Sequence, residues 1–281
     1  MKILTFAAIK GGVGKTTLAF NFGEYLAYIK NKRVLFVDLD HQCNLSQTYD
    51  RYDTEGTIGN VFEQEKNAVI HKVNENIGII TGNMHLDTIE SNIENRTDKN
   101  MLMYMWLADQ YDKLNLDSYD YLILDTHPDF SVATKNAIAI SHAVFSPITP
   151  SKDGYNARFN LSERLDEFKK EAIDFQTRQS YVTAELKYIA NMVKPNTHSS
   201  RELLESIKGH DSVIAIVPNK ESFNQSTLAK LSIAHAYQLD SGENDDQNRL
   251  INKLKRSSEQ GFITNLFHTF NDMESEIDQL K

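Results

Sequence analysis

Cysteine is almost missing from this chain: Cys43 is the only one in 281 residues. One thiol cannot build an intrachain disulfide framework, and such scarcity suits a reducing cytoplasm. Long apolar runs are missing too. None approaches the roughly eighteen residues that a membrane-spanning helix needs. Met1-Lys2 leads directly into the first expected strand, so no signal peptide is expected. Positive charge is in deficit. Lys and Arg number 30 against 39 Asp and Glu, a net charge of −9, so the surface as a whole does not advertise nucleic-acid binding. What remains is ordinary for a soluble globular protein: 40% hydrophobic and 25% charged residues, in a chain long enough for one large α/β domain or two small ones.

The strongest local pattern is Lys10-Gly11-Gly12-Val13-Gly14-Lys15-Thr16-Thr17. An apolar run, Ile3 to Ile9, precedes it and reads as a buried parallel strand. Leu18, Phe22 and Leu26 follow at the spacing of one helix face. Strand, glycine-rich turn and helix together make a phosphate-binding loop. The glycines let the backbone curl until successive N–H groups point inward, and the new helix adds the positive end of its dipole. Residues Gly11 to Thr17 are therefore expected to bind a nucleotide, with Lys15 on the terminal phosphates and the Thr16 hydroxyl on Mg²⁺.

Two later strands end in carboxylates. Arg33 to Asp40 is apolar up to Asp38-Leu39-Asp40, and alternation puts Asp38 and Asp40 on the same side, at the carboxyl end where open α/β sheets bind ligands. Tyr119 to Asp125 delivers a single Asp at its tip. A carboxylate there can hold Mg²⁺ through water, since hard cations prefer oxygen and keep part of their hydration. A strand-end Asp can also simply cap the next helix, and that alternative stays open for Asp38 and Asp40.

The phosphate loop departs from the common spacing, because Ile9 stands where a glycine is usual. It follows instead the form K-G-G-x-G-K-[ST]-T with an additional lysine, Lys10, and so resembles the deviant Walker A motif of the ParA/MinD group of ATPases. His41-Gln42-Cys43-Asn44 is similar to that group's D-x-D-P-Q-G-N segment: Gln42 and Asn44 match, while His41 replaces a proline and Cys43 a glycine. Asp125 resembles the Walker B aspartate, with Asp120 and Pro128 matching around it and His127 not; Asn136 also falls on a family position. The resemblance, which runs from Met1 to about Tyr237, implies ATP and Mg²⁺ as cofactors. Asp40 would orient or activate the attacking water, Thr16, Asp38 and Asp125 would serve the metal, and Lys10 would reach across an ATP-sandwiched homodimer to the partner's nucleotide. Asn191 and Pro218, near the ends of two later strands, would frame the adenine ring. A single cysteine argues against the iron–sulfur ATPases of similar type. His41, Cys43 and His127 all depart from the pattern and are expected to flank the γ-phosphate, either as drift at tolerant positions or as ligands for a transition metal or a redox-sensitive group.

The expected fold is α/β: one mostly parallel sheet flanked by helices on both faces, in a single domain over 1–281 with a core of about 1–237, an acidic loop at 240–248 and a helical segment at about 249–281. Strands are expected at 77–80, at 142–150 (stopped by its prolines), at 186–193 and at 212–218. The segment Tyr155 to Phe175 reads as a helix with Phe159, Leu161, Leu165, Phe168 and Ile173 inward. Met101, Met103, Met105 and Trp106 form a stripe that fits either core or a partner surface. Phe262, Leu266, Phe267 and Phe270 should pack on the sheet, and the acidic outer residues of that last helix, Asp272 to Asp278, disfavour anionic lipid, so no membrane partner is expected.

By resemblance, the function is that of the short ParA proteins that partition plasmids or chromosomes. Their ATP dimer binds DNA non-specifically, and a ParB-type protein bound at a centromere site stimulates hydrolysis; such a protein is cytoplasmic and nucleoid-associated. Arginines usual at the family's DNA-contact positions appear here as Asn196, Asn219 and Ser222, so Lys194, Lys220, Lys253, Lys255 and Arg256 are the candidate DNA contacts. The alternative is a MinD-like positioning switch acting on a protein complex, for which the acidic surface and the Met stripe speak. A dethiobiotin-synthetase-like metabolic enzyme, which has no need of Lys10, comes third.

Overall fold

The computed structural model describes residues 1–64, 67–194 and 196–280, and within 152–158 the backbone alone. Among the described residues eight strands form one sheet: β1 (Lys2–Phe6), β2 (Val34–Leu39), β3 (His71–Lys72), β4 (Ile77–Ile80), β5 (Tyr121–Thr126), β6 (Ala143–Ile148), β7 (Glu185–Val193) and β8 (Val213–Pro218). Their spatial order is β3-β4-β2-β5-β1-β6-β7-β8. Every neighbouring pair is parallel except β3 with β4 at one edge.

Alternation along the central strands explains why helices cover both faces. In β2, Val34 and Phe36 enter one hydrophobic cluster, and Leu35, Val37 and Leu39 enter another. In β5, Tyr121 and Ile123 go to the first, Leu122 and Leu124 to the second. A strand that is apolar on both sides must be buried on both sides. The first face is covered by the helices Lys15–Tyr28, Ile233–Gln238, Asp245–Leu254 and Ser257–Gln279, the second by Leu86–Ile93, Leu102–Gln110 and Val132–Ile140. Gly23 lets the first helix lie flush on the sheet, since a Cβ there would stand 2.2 Å from the Phe36 ring. This is the expected doubly covered parallel sheet.

Three local expectations need correction. Pro147 does not stop β6; it lies within it, opposite Ile189. The Phe145 carbonyl faces β1, where it accepts from Ala7, so Pro147, two residues on, faces the same side. There β1 has already ended at Phe6, and the missing N–H has no ladder partner to lose. The acidic loop is shorter than 240–248, because a helix begins at Asp245. Asn244 caps it by accepting from the Gln247 N–H at 3.0 Å, and Asp245 and Asp246 sit at the positive end of its dipole. The helix expected over 155–175 runs from Lys152 to Glu171, and Phe159 and Ile173 are not in its buried stripe: they are 56% and 37% exposed, while Leu161, Leu165 and Phe168 are buried. The side chain of Tyr155 lies outside the described residues. Of the Met stripe, Met103 and Trp106 enter the core, Met105 packs against it, and Met101 is half-buried.

The last helix is part of the core. Phe262, Ile263, Leu266, Phe270, Met273 and Ile277 are buried against the first helix and the sheet. Its acidic residues are tied to the body: Glu274 to Lys30 at 2.9 Å, Glu276 to Lys187 at 3.2 Å, and Asp278 to the Tyr121 hydroxyl at 2.7 Å. Among the described residues no helix is long and apolar enough to cross a membrane.

Candidate functional site

The phosphate loop connects the tip of β1 to the helix Lys15–Tyr28. Gly12 and Gly14 hold left-handed conformations (φ 73° and 86°) that L side chains rarely adopt. Gly14 is also crowded: a Cβ there would stand 2.6 Å from Nδ2 of Asn191. The Asn191 amide donates to the Val13 carbonyl at 2.8 Å, bracing the loop from β7. No acidic residue occupies the first turn of the helix, so its positive end is left for an anion. Lys10, at the start of the loop, is half-buried.

Lys15 is 7% exposed. Burial lowers its pKa, against the opposing pull of Asp125, Asp40 and Asp129. Asp125 stands on β5 between the other two central strands, in register with Asp38 of β2 and Phe6 of β1. It is fully buried, and neither carboxylate oxygen has a hydrogen-bond partner. Burial pushes its pKa up to about 8; Lys15 and the nearby Thr16 hydroxyl oppose that rise, and Asp38 and Asp40 add to it. A buried carboxylate without a partner is destabilising unless something else satisfies it. A carboxylate and a hydroxyl beside a phosphate loop are hard oxygen donors, and they fit Mg²⁺.

Asp38 is not open in the same way. One of its oxygens accepts from the Asp40 N–H at 3.1 Å, and the other from both the N–H and the hydroxyl of Ser46, at 2.8 and 2.7 Å. Burial raises its pKa to about 6, with the Ser46 bonds opposing. Both oxygens are engaged, one of them in capping the short helix Asn44–Thr48, which is the capping alternative read from the sequence, and Asp38 holds the loop that carries Asp40. Asp40 is 5% exposed, and its Oδ1 accepts from the Gln42 N–H at 2.8 Å.

The three departures from the family motif do not form one group. The rings of His41 and His127 lie 4.2 Å apart, and one ligand atom from each lies within 4.8 Å of the other and of an Asp40 oxygen. Cys43 stands apart from that set. Its φ of 53° is left-handed, which accounts for the glycine usual at this position. Burial, with Asp38 and Asp40 nearby, pushes its thiol up to about 12, so it is not a reactive thiolate. Asn136 is buried and ties its helix to the segment before the helix Leu102–Gln110: it accepts from the Met103 N–H at 3.0 Å and donates to the Lys99 carbonyl at 2.6 Å.

Asn191 and Pro218 line one cavity of about 70 Å³ beside Gly14 and Thr17. Met192 and Phe223 also line it. Sequence reading missed both, although a residue at the end of β7 in a left-handed conformation (Met192, φ 57°) has no local signal. Ser46 and Asp129 were missed for a similar reason, since each acts through a partner brought to it by a turn.

The candidate DNA contacts divide. Lys220 lies 3.7 Å from Glu259 and over the Phe262 ring, and Lys255 pairs with Asp240 at 3.2 Å. Among the described residues Lys194, Lys253 and Arg256 have no such ion pair. Lys194 and Arg256 are exposed and Lys253 is half-buried.

With this geometry in place, residues 1–177 match the family model described as "AAA domain". The chain belongs to that family. The chain is also similar in sequence to a virulence plasmid ParA family protein of Chlamydia psittaci, 34% identical over 159 residues, 53% of this chain and 58% of the relative. The chain thus spans little more than half the length of that relative. Two solved structures share the fold: a plasmid partition protein from Borrelia burgdorferi B31 bound to AMPPNP (24% identity, 90% of this chain and 97% of that one, TM-score 0.67), and apo McdA of Cyanothece (17% identity, 97% and 98%, TM-score 0.75). This member of the AAA-domain family is thus similar over part of its length to a ParA-type protein, and it has a mostly parallel, doubly covered sheet.

Proposed function

We propose that the chain is a Mg²⁺-dependent ATPase switch that dimerises around ATP and partitions plasmid or chromosomal DNA. The observation that carries the reading is Asp125, a buried carboxylate without a hydrogen-bond partner beside Lys15 and a loop whose glycines take left-handed conformations. Mg²⁺ held by Thr16 and Asp125 would neutralise charge on the terminal phosphates. Lys15 and the loop N–H groups bind the same phosphates, and Asp40, fixed by Asp38 and Gln42, orients the attacking water. Phosphoryl transfer needs this positioning and neutralisation more than covalent chemistry. Lys10 from the partner subunit completes the charge stabilisation, so the γ-phosphate couples nucleotide state to dimerisation. Asn191 and Pro218 frame the adenine ring. A ParB-type protein stimulates hydrolysis, and the ATP dimer sits on the nucleoid in the cytoplasm, held by Lys194, Lys253 and Arg256 through phosphate contacts.

The neutralisation of Lys220 and Lys255 within the chain favours a second reading, a positioning switch that acts on a protein complex. The deciding experiment measures retention of Asp40→Ala on non-specific duplex DNA with ATP and with ADP at two salt concentrations. ATP-dependent retention that falls steeply with salt supports partition. Dimerisation by light scattering without retention replaces it with the positioning switch. ATP hydrolysis that is insensitive to Lys10→Ala at every protein concentration would turn the assignment to a metabolic enzyme of the same fold.

A further inference from the structure

We propose that His41, His127 and Asp40 form a binding site for a borderline divalent transition metal such as Zn²⁺, separate from the Mg²⁺ position. Two histidines 86 residues apart in sequence replace unrelated residues of the ParA-type motif, and the fold brings them together. Their rings lie 4.2 Å apart, tilted by 35°, and both are half-buried. One ligand atom from each and one carboxylate oxygen of Asp40 all lie within 4.8 Å of one another. Imidazole and carboxylate in a two-to-one set suit Zn²⁺ or Co²⁺, whereas Mg²⁺ prefers oxygen alone.

A second feature is independent of that convergence. Nδ1 of His127 lies 3.1 Å from Oδ2 of Asp129, and Oδ1 of Asp129 accepts from the Ser131 N–H and the Thr134 hydroxyl, each at 3.1 Å. A carboxylate fixed in this way holds the ring through Nδ1 and leaves Nε2 as the nitrogen able to take a metal. This is the arrangement that orients metal-ligating histidines and raises their basicity. Three protein ligands leave the fourth tetrahedral position for water or a phosphate oxygen.

The consequence rests on the role given to Asp40 above. A metal held by Asp40 removes that carboxylate from the attacking water, so hydrolysis stops while the phosphate loop and Lys15 still bind ATP. The bound metal therefore prolongs the ATP state.

The test is a Co²⁺ titration of the full, nucleotide-free chain in excess Mg²⁺, followed by visible d–d absorption. One Co²⁺ per chain is expected, with no thiolate charge-transfer band and no change in Cys43→Ser. His41→Asn and His127→Asn should each weaken binding at least about a hundredfold, and Asp129→Asn about ten- to a hundredfold. Zn²⁺ should displace Co²⁺ and shift the imidazole proton resonances of His41 and His127 in the unaltered chain, a readout that does not depend on any variant folding. Unchanged affinity in both histidine variants, or unmoved imidazole resonances, overturns the site and leaves the ATPase reading untouched. A filled site with unchanged hydrolysis overturns the coupling to Asp40 and leaves the site standing.

Discussion

The side-chain amide of Asn191 donates to the main-chain carbonyl of Val13 across 178 residues. One end of β7 thus holds the middle of the phosphate loop in the curl that its glycines permit. Asn191→Ala leaves that carbonyl without its donor, which costs about 1–3 kcal/mol when the group is buried. The loop N–H groups lose alignment with it, and ATP affinity should fall about tenfold, by the relation of 1.4 kcal/mol to a factor of ten. Asn191→Asp should be worse than Asn191→Ala, since it sets an acceptor against the Val13 carbonyl and a negative charge near phosphate. Nucleotide titration and urea unfolding of both variants check this ordering.

Asp125 makes the nucleotide-free protein sensitive to pH. Its carboxyl is raised to about 8 in the fold from an ordinary 3.8. Between those values the unfolded chain has released the proton and the folded chain still holds it. The native state therefore binds more protons, and stability falls as pH rises from about 4 to about 8. The contribution is fully present below 3.8 and gone above the folded value. Asp125→Asn removes it, so in EDTA the variant should gain on the wild type steadily from pH 5 to pH 8. Mg²⁺ should stabilise the wild type at pH 8 and leave Asp125→Asn unmoved. Parallel pH profiles of the two proteins would contradict the assignment of Asp125 as the metal carboxylate.

The phosphate loop, Asp40 and Asp125 were legible in the sequence because each is a local pattern at the end of an apolar strand, and strand ends at one edge of a parallel sheet necessarily converge. The two-faced burial of β2 and β5 was legible for the same reason. That Asp38 could cap the next helix was legible too, but its partner Ser46 was not, because the turn that brings Ser46 back is encoded by no spacing. Phe159 looked like core by periodicity, yet it is exposed. The meeting of His41 and His127 was legible from their places after two strands that end in carboxylates, but the separation of Cys43 from them and the approach of Asp40 required the three-dimensional structure. The division among the lysines required knowing where Glu259 and Asp240 point.

Cys43 should behave as a packed side chain rather than a sensor. Its thiol is pushed up from 9.0 to about 12 by burial and by Asp38 and Asp40. At neutral pH the thiolate fraction then falls two to three orders of magnitude below that of an ordinary cysteine, and alkylation follows the thiolate. Iodoacetamide should label the folded protein at least about a hundredfold more slowly than the urea-unfolded chain. Cys43→Gly fits the left-handed backbone and should stay within about 1 kcal/mol of wild type. Cys43→Val, branched at Cβ, should lose about 1–2 kcal/mol.

Removing residues 257–281 should abolish folding. The last helix buries Phe262, Ile263, Leu266, Phe270, Met273 and Ile277, each worth about 1.5–3 kcal/mol of transfer free energy. Their sum rivals the roughly 5–15 kcal/mol that stabilises a whole domain. A milder probe is Tyr121→Phe, which deletes the bond to Asp278. A hydrogen bond to a charged group contributes about 1.5–3 kcal/mol when buried and less at this partly exposed site, so a measurable drop in the urea midpoint with unchanged nucleotide affinity is expected. A soluble, cooperatively unfolding truncation would show that the sheet is sufficient without this helix.

Glu259 is the side chain that decides whether Lys220 can serve a nucleic acid. The two lie 3.7 Å apart, and the lysine ammonium lies over the Phe262 ring, 5.2 Å from its centre. Lys220 is partly exposed, and Asn219 beside it bonds back to the end of β7 next to Lys194. Glu259→Gln keeps the shape and releases the positive charge. If the ATP dimer binds DNA through this face, the substitution should strengthen retention and steepen its dependence on salt by about one phosphate contact per subunit, a slope change of about 0.9 in log affinity against log salt. Lys194→Glu and Arg256→Glu should weaken retention, whereas Lys255→Glu, at a lysine already paired with Asp240, should do less. The same four variants measured with a protein cargo in place of DNA separate the two proposed functions. Under the positioning reading the salt slope on DNA stays flat in all four, because no phosphate is neutralised to release its counterions.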